Sequence, residues 1–415
     1  MSKYFGTDGI RGILGTDYSC DFLYRVGRSI KVLSNRRVVI GYDTRNSSDL
    51  YCSLITSGVV SIGCDCYIAK VVSTPALISY SKNHNMIGIM ITASHNPYYY
   101  NGIKIINCGE KLSEIEQNSL ELFIDNDDNI IEYGKIYNIN ILNEYYKEIN
   151  KYSVKTGFNV IVDTSNGSAS KMVYKALRGS CDKLDIINDN PDGFNINKNC
   201  GSTNIDNLIN YIKLGDYDVG FSFDGDADRV IMCDGMGNIY DGDIIIYILA
   251  RYLNIDKVVL SVMSNIGIIE ALNNHNIEVV EAKVGDRYIY QQMNNKDIVL
   301  GGEESGHIIY KEVSNTGDGI LMALLLLKVI KENNIDLKEI RNEINLYSSL
   351  SYNLNVDNIN EDVYPRIEEI KKEMGKCKII LRKSGTENVV RLMVMGKRLD
   401  LCLKYIEEIK KMILN

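Results

Sequence analysis

The chain has 415 residues, 45% of them hydrophobic and 24% charged, the balance of a globular protein with length for about three domains. A net charge of -8 disfavours nonspecific binding to nucleic acid or anionic membrane, so a small anionic substrate would need a local basic pocket. Ten cysteines without paired CxxC spacing, an opening MSKYFGTDGIRG with no apolar signal segment, and an apolar run at 320–327 too short to span a bilayer lead us to expect a cytoplasmic protein with reduced thiols.

The first segment, YFGTDGIRG, packs three glycines, an aspartate and Arg11 into nine residues, and reads as a ligand-facing loop in which Arg11 can grip phosphate. A helical face of Phe22, Leu23, Val26, Ile30 and Leu33 follows. Strands are expected at 38–41, 64–69 and 86–92, with a helix from about Ser48, a turn at STPA (73–76) and a second helix between them. Cys64 and Cys66 alternate on one strand and are expected to pack on the same face. Arg45, just past a strand end, could face a cleft or cap a helix. The apolar run 86–92 reads as a strand buried on both faces, and Ala93-Ser94-His95-Asn96-Pro97 then breaks it. Proline biases the residue before it away from helix, so the Ser94 hydroxyl is expected on a loop at the strand's carboxyl end, where open α/β sheets bind ligands.

The strand–helix alternation restarts near 145–158 and again at 258–262. Strands at 38–41, 160–162 and 258–262, each followed by a polar turn and a helix, suggest three related α/β units. In the second, the strand 219–223 leads into DGDADR. Asp224, Asp226 and Asp228 at i, i+2 and i+4 on a tight loop would repel one another unless they converge on a hard cation. Arg229 and Gly235 stand where an EF-hand needs glycine and glutamate, so a calcium loop of that kind is rejected. Three protein ligands completed by water or phosphate is the manner in which magnesium is usually held.

In the third unit KVGDRYI joins a strand to a helix, and a strand at 298–300 runs into GGEESGH. Glu303 and Ser305 offer groups that read sugar hydroxyls or an amine; His307 is a candidate proton carrier or a structural histidine. Asp318 and Gly319 open an apolar core helix at 320–330. After a polar joint at 342–351, a small unit is expected with strands at 354, 379–381 and 389–395 and a closing helix at 399–414. Between its last strands lies RKSGTENVVR, whose Arg382, Ser384, Gly385, Thr386 and Arg391 can form a phosphate cup.

In this order, FGTDGIRG, TASHNP with NGIK, DGDADR, GEESGH and RKSGTE resemble the α-D-phosphohexomutases over nearly the whole chain. KVGDRY, GGEESGH and NCGSTN are similar to the bacterial branch that acts on glucosamine phosphate. The resemblance implies an α/β fold of three similar mixed or parallel-sheet domains (1–150, 151–243, 244–345) and a smaller C-terminal α+β domain (346–415) around a central cleft. It implies a phosphoserine at Ser94, and Mg²⁺ on Asp224, Asp226 and Asp228 with a Ser94 phosphoryl oxygen. It also implies sugar contacts from Glu303 and Ser305 and a grip on the non-reacting phosphate by Arg382, Ser384, Gly385, Thr386 and Arg391. Arg11, Lys104 and Arg229 would offset phosphate charge, and Lys104 or His307 is the candidate base. The implied reaction moves phosphate between C6 and C1 of the sugar through a bisphosphate. The partner is a small phosphosugar, with a homodimer as a candidate assembly and neither nucleic acid nor membrane.

Tyr98, Tyr99 and Tyr100 stand where the family commonly has smaller or polar residues and an aspartate. Lys383 and Asn388 replace usual prolines, and Glu304 replaces glutamine. The alternatives are the same chemistry on mannose or glucose phosphate, a phosphoserine-dependent phosphatase, and a non-catalytic sugar-phosphate sensor.

Overall fold

The computed structural model describes residues 3–6, 8–126, 132–356, 359, 361–383 and 389–414. Among them, four sheets of seven, five, four and three strands follow one another along the chain. The first three share one arrangement. In the first sheet Asp65–Val71, Arg37–Tyr42 and Ile87–Ile91 lie parallel, and Asn101–Asn107 pairs antiparallel with Ile87–Ile91. The second repeats this with Lys183–Ile187, Asn159–Asp163, Val219–Phe223 and the antiparallel Val230–Asp234. The third does so with Glu278–Ala282, Lys257–Ser261, Leu300–Gly302 and the antiparallel Ile308–Tyr310.

The third member of each set is buried along its whole length, as its apolar sequence requires. Each then passes through one connection into its antiparallel neighbour, and these three equivalent connections carry Ser94, the three aspartates, and Glu303 to His307. The three related units expected from the restarts are therefore present, and their repetition is what sends three chemically different loops to equivalent sheet ends.

The sequence reading needs two adjustments. STPA is not a free turn: Ser73 caps the helix Thr74–Asn83, its side chain accepting from Ala76 N at 3.3 Å, with Pro75 in the first turn, where a missing N–H costs no helical bond. The stretch read as a polar joint already contains the start of the strand Ser348–Leu354, whose outer face of Ser349, Ser351 and Asn353 is polar and exposed. Cys64 and Cys66 are both buried in the first core. The helix Gly319–Glu332, apolar all round, lies in a core shared by the second and third units. The fourth unit packs the helices Val363–Met374 and Leu399–Leu414 on a three-stranded antiparallel sheet. Among the described residues no helix is long and apolar enough to cross a membrane.

Candidate functional site

Ser94 sits just beyond the buried strand Ile87–Ile91, itself buried, with φ 51° in the left-handed region. A serine adopts that backbone only when its surroundings hold it there. Thr92 Oγ1 accepts from Ser94 N at 2.9 Å, and the Ser94 carbonyl accepts from Arg45 Nη2 and Asn197 Nδ2, both at 2.8 Å. The hydroxyl thus faces the second unit, where it donates to Asp224 Oδ2 at 2.6 Å; His95 Nδ1 lies 3.3 Å away. Outside this loop, Tyr98 packs edge-on against Phe194 of the second unit, ring centroids 5.4 Å apart.

The aspartate loop follows the buried strand Val219–Phe223. Ligand oxygens of Asp224, Asp226 and Asp228 lie within 4.8 Å of one another, the one such group of three among the described residues. Asp226 Oδ2 accepts from Thr74 Oγ1 at 2.6 Å and from Lys104 Nζ at 2.9 Å, and Asp228 Oδ2 accepts from Lys104 Nζ at 3.1 Å. Asp226 Oδ1 and Asp228 Oδ1, however, are buried without a hydrogen bond. Orphaned carboxylate oxygens are costly in a dry site, and an all-oxygen donor set fits a hard divalent cation. The residues present therefore fit a metal.

Electrostatics divide the three acids. Burial, and then Asp228 and Asp226, push the Asp224 carboxyl well above the usual range. At Asp228 burial acts in the same direction but is overcome by Lys104, His307 and Arg229, which hold it well below. Lys104 is buried, yet Asp226, Asp228 and Asp8 outweigh that burial and raise its pKa well above the ordinary amine value. It is therefore a cation here, holding its proton tightly and poorly suited to act as a base. His307 is also buried. Its Nε2 accepts from Gly317 N at 3.1 Å, which leaves the ring proton on Nδ1, 3.6 Å from Asp228 Oδ1. It stands behind Asp228 and supports that carboxylate.

Arg11 pairs with Asp8, which also lies 3.3 Å from Lys104 Nζ. Burial, Arg229 and Arg11 together push His95 down to about 3, so two guanidinium charges bear on the residue beside Ser94. In the third unit Glu303 Oε1 accepts from Gly285 N at 2.9 Å, which ties GGEESGH to KVGDRY; Gly285 has φ 121°, a conformation that favours glycine. Ser305 Oγ is buried and has no hydrogen-bond partner among the described residues. Glu304 is exposed. Arg382 and Arg391 lie directly opposite each other on adjacent strands of the fourth unit, lining a cavity of about 330 Å³ with Met263, Tyr352 and Met393. Ser384, Gly385 and Thr386 lie outside the described residues.

Three polar residues at the site carried no functional assignment in the sequence. Asp8 is visible in FGTDGIRG, Thr74 was hidden in a motif read as a turn, and Asn197 has no local signal at all. Arg45, on the connection after the strand Arg37–Tyr42, turns out to be buried with its guanidinium bonded to the Ser94 loop, and is not a surface cap. Together these groups offer an oxygen nucleophile, an oxygen nest for a cation and a ring of positive charge, the equipment for moving a phosphoryl group.

Comparison with known proteins agrees with this geometry. Three family models, described as phosphoglucomutase/phosphomannomutase alpha/beta/alpha domains I, II and III, match residues 2–130, 140–237 and 241–347. The phosphoglucosamine mutase of Thermosipho africanus is 38% identical over 416 residues, covering 96% of this chain and 95% of that protein. That of Clostridium acetobutylicum is 36% identical, covering 96% of each. The crystal structure of a phosphoglucomutase/phosphomannomutase family protein from Burkholderia thailandensis superposes with TM-score 0.84 at 19% identity, over 99% of this chain and 97% of that one, a likeness of fold alone.

Proposed function

This chain belongs to the phosphoglucomutase/phosphomannomutase family, and from that premise we propose that it is a phosphoglucosamine mutase, interconverting glucosamine 6-phosphate and glucosamine 1-phosphate through a phosphorylated Ser94. The observation that carries this reading is the buried Ser94 hydroxyl, 2.6 Å from the first of three convergent aspartates. Full-length likeness to relatives named for the amino sugar selects the substrate within the family.

Phosphoryl transfer needs little covalent help and much placement of charge. Phosphorylated Ser94 carries about 1.5 to 2 negative charges at pH 7. Lys104, Arg11 and Arg229 would offset them. Asp224, Asp226 and Asp228 would hold Mg²⁺ together with a phosphoryl oxygen on Ser94, and the ion when bound supplies Lewis-acid stabilisation of the transferring charge. Ser94 gives its phosphoryl group to a substrate hydroxyl, producing a sugar bisphosphate. The bisphosphate turns end for end and returns its other phosphoryl group to Ser94.

During each half of the cycle one phosphate must be gripped while the other reacts. Arg382 and Arg391 supply that grip, with Ser384, Gly385 and Thr386 as further contacts, and Glu303 and Ser305 read the ring between. His307 fixes Asp228, and Lys104, held as a cation, offsets the negative charge that builds on the oxygen Ser94 or the sugar gives up, while the proton lost by the attacking hydroxyl is the one that this departing oxygen gains. The domain boundaries we assign are 150/151, 243/244 and 345/346, and the working compartment is the cytoplasm.

The test is turnover by purified protein with Mg²⁺ and a trace of sugar bisphosphate, comparing glucosamine 6-phosphate, glucose 1-phosphate and mannose 1-phosphate. A tenfold or greater kcat/KM preference for the amino sugar, about 1.4 kcal/mol of transition-state discrimination, is expected. A preference for a neutral hexose keeps the mechanism and moves the specificity. Phosphate release without isomer formation would refute a mutase.

A further inference from the structure

Arg45 spends every hydrogen-bonding proton of its guanidinium on the loop that carries Ser94 and the strand end beneath it. Nε donates to Asp43 Oδ2 at 2.9 Å. Nη1 donates to the carbonyls of Pro97 and, at 2.8 Å, Tyr100; Nη2 donates to those of Ser94 and Asn96, both at 2.8 Å. Five donors in a planar fork are therefore matched to one carboxylate and four carbonyls that all point inward. The Arg45 and Asp43 side chains are both fully buried.

Asp43 extends the network back to the nucleophile. Its Oδ2 also accepts from Thr92 Oγ1 at 2.6 Å, and Thr92 Oγ1 accepts from Ser94 N at 2.9 Å. Both backbone polar groups of Ser94 are thus fixed from below by one arginine–aspartate pair. From the second unit, Asn197 Nδ2 donates to two of the same carbonyls, Ser94 at 2.8 Å and Asn96 at 3.1 Å. Loop carbonyls turned toward a buried guanidinium cannot turn toward water. These bonds, with the turn bond from Asn96 N to the Ala93 carbonyl at 3.0 Å, hold the left-handed backbone at Ser94 that aims the hydroxyl at Asp224.

We propose that Arg45 is a positioning residue for phosphoryl transfer, its guanidinium gathering the carbonyls of Ser94, Asn96, Pro97 and Tyr100 so that the Ser94 oxygen is held in line for reaction, with Asn197 as its partner from the second unit. The inference rests on the mutase reading for the reaction it serves. Arg45 touches neither the Ser94 side chain nor the aspartates, so it acts on the reacting geometry and not on sugar binding, and its loss belongs in kcat. A loosened loop also lets water reach the phosphoserine, so inorganic phosphate release per isomerisation rises.

Arg45→Lys keeps the charge but replaces a five-donor fork by three donors on a point charge. Expected is a fall in kcat of about 100-fold, with KM for glucosamine 6-phosphate within about twofold of wild type, since misplacement on the order of 1 Å costs that much. Phosphate release per turnover rises. A wild-type kcat, or a raised KM with kcat intact, overturns the proposal. Should Arg45→Lys not fold, as judged by its melting transition, Asn197→Ala removes two bonds from a half-buried side chain and leaves Arg45 in place. It is expected to lower kcat about tenfold with KM unchanged, and an unchanged kcat overturns the proposal. Wild-type turnover decides the mutase reading separately. If wild type isomerises nothing, phosphorylation of Ser94 by glucose 1,6-bisphosphate, followed by intact mass, replaces turnover as the readout: slower labelling of Arg45→Lys upholds the positioning role and equal labelling refutes it.

Discussion

Two buried oxygens, Asp226 Oδ1 and Asp228 Oδ1, have no hydrogen bond although each sits on a carboxylate whose other oxygen is bonded to Lys104. Lys104 alone cannot neutralise three acids, and burial, with repulsion from Asp228 and Asp226 added to it, raises the Asp224 carboxyl well above its usual range. A divalent cation removes that repulsion. Asp226→Asn keeps the shape and the Thr74 contact but removes charge, so Mg²⁺ should bind at least about tenfold more weakly. Two titrations check this: turnover against Mg²⁺, and the rise of melting temperature that Mg²⁺ produces in the wild type by binding the folded state. Equal responses in variant and wild type would remove the three-aspartate site. At this scale the sequence was readable wherever a site is local: Ser94 and the three aspartates each lie on one short loop after an apolar strand. Arg45 and Asn197 were not assignable, because the loop carbonyls they hold are 49 to 55 and 101 to 103 residues away, and nothing local distinguishes a buried arginine from one capping a helix.

Elements bring those loops together. Each of the first three sheets contains the same pair, a buried parallel strand followed by an antiparallel neighbour, and the loop between them faces the site. The roughly hundred-residue restarts made this legible as repetition. The start of Ser348–Leu354 was missed because the strand is mostly exposed, with only Leu354 buried, so its polar face resembled a linker. The fourth unit supplies a different device, two arginines side by side. Burial and then Arg391 lower the Arg382 pKa, with Glu303 pulling the other way, so without an anion the charged pair is mildly unfavourable. Arg382→Gln should therefore stabilise the ligand-free protein slightly, by at most about 0.5 kcal/mol because the side chain is partly solvated. The same change should shrink the melting-temperature rise produced by inorganic phosphate. Melting curves with and without phosphate decide; a phosphate response as large as that of wild type would take Arg382 out of the grip.

Across the whole molecule the fourth unit must be held against the third while its cavity fills and empties, and one buried acid lies at the base of the joint between them, beside an apolar cluster of Ile266, Tyr347, Met393 and Met395 and the bonds of Lys378 to the third unit. Asp243, in the first turn of the buried helix Gly242–Tyr252, accepts from Ser264 Oγ at 2.7 Å and Asn265 N at 3.0 Å. Asn265 in turn exchanges two 3.0 Å bonds with the backbone of Tyr347, where the chain enters the fourth sheet. Burial, and then Asp241, push the Asp243 carboxyl up to about 7. An acid whose pKa is raised by folding binds its proton more tightly in the folded state. Its contribution to stability is complete below the ordinary carboxylate value of about 4 and is lost as pH rises to about 7, at about 1.4 kcal/mol per pH unit. Asn at this position imitates the protonated acid, its amide donating to Ser264 Oγ and its oxygen accepting from Asn265 N. Asp243→Asn should therefore gain stability relative to wild type as pH rises from about 5 to about 8, by up to a few kcal/mol. Paired melting curves at those two pH values measure the difference directly. A difference that stays constant with pH would mean that Asp243 is ionised throughout, and that the joint between the third and fourth units is held by a charged acceptor at every working pH.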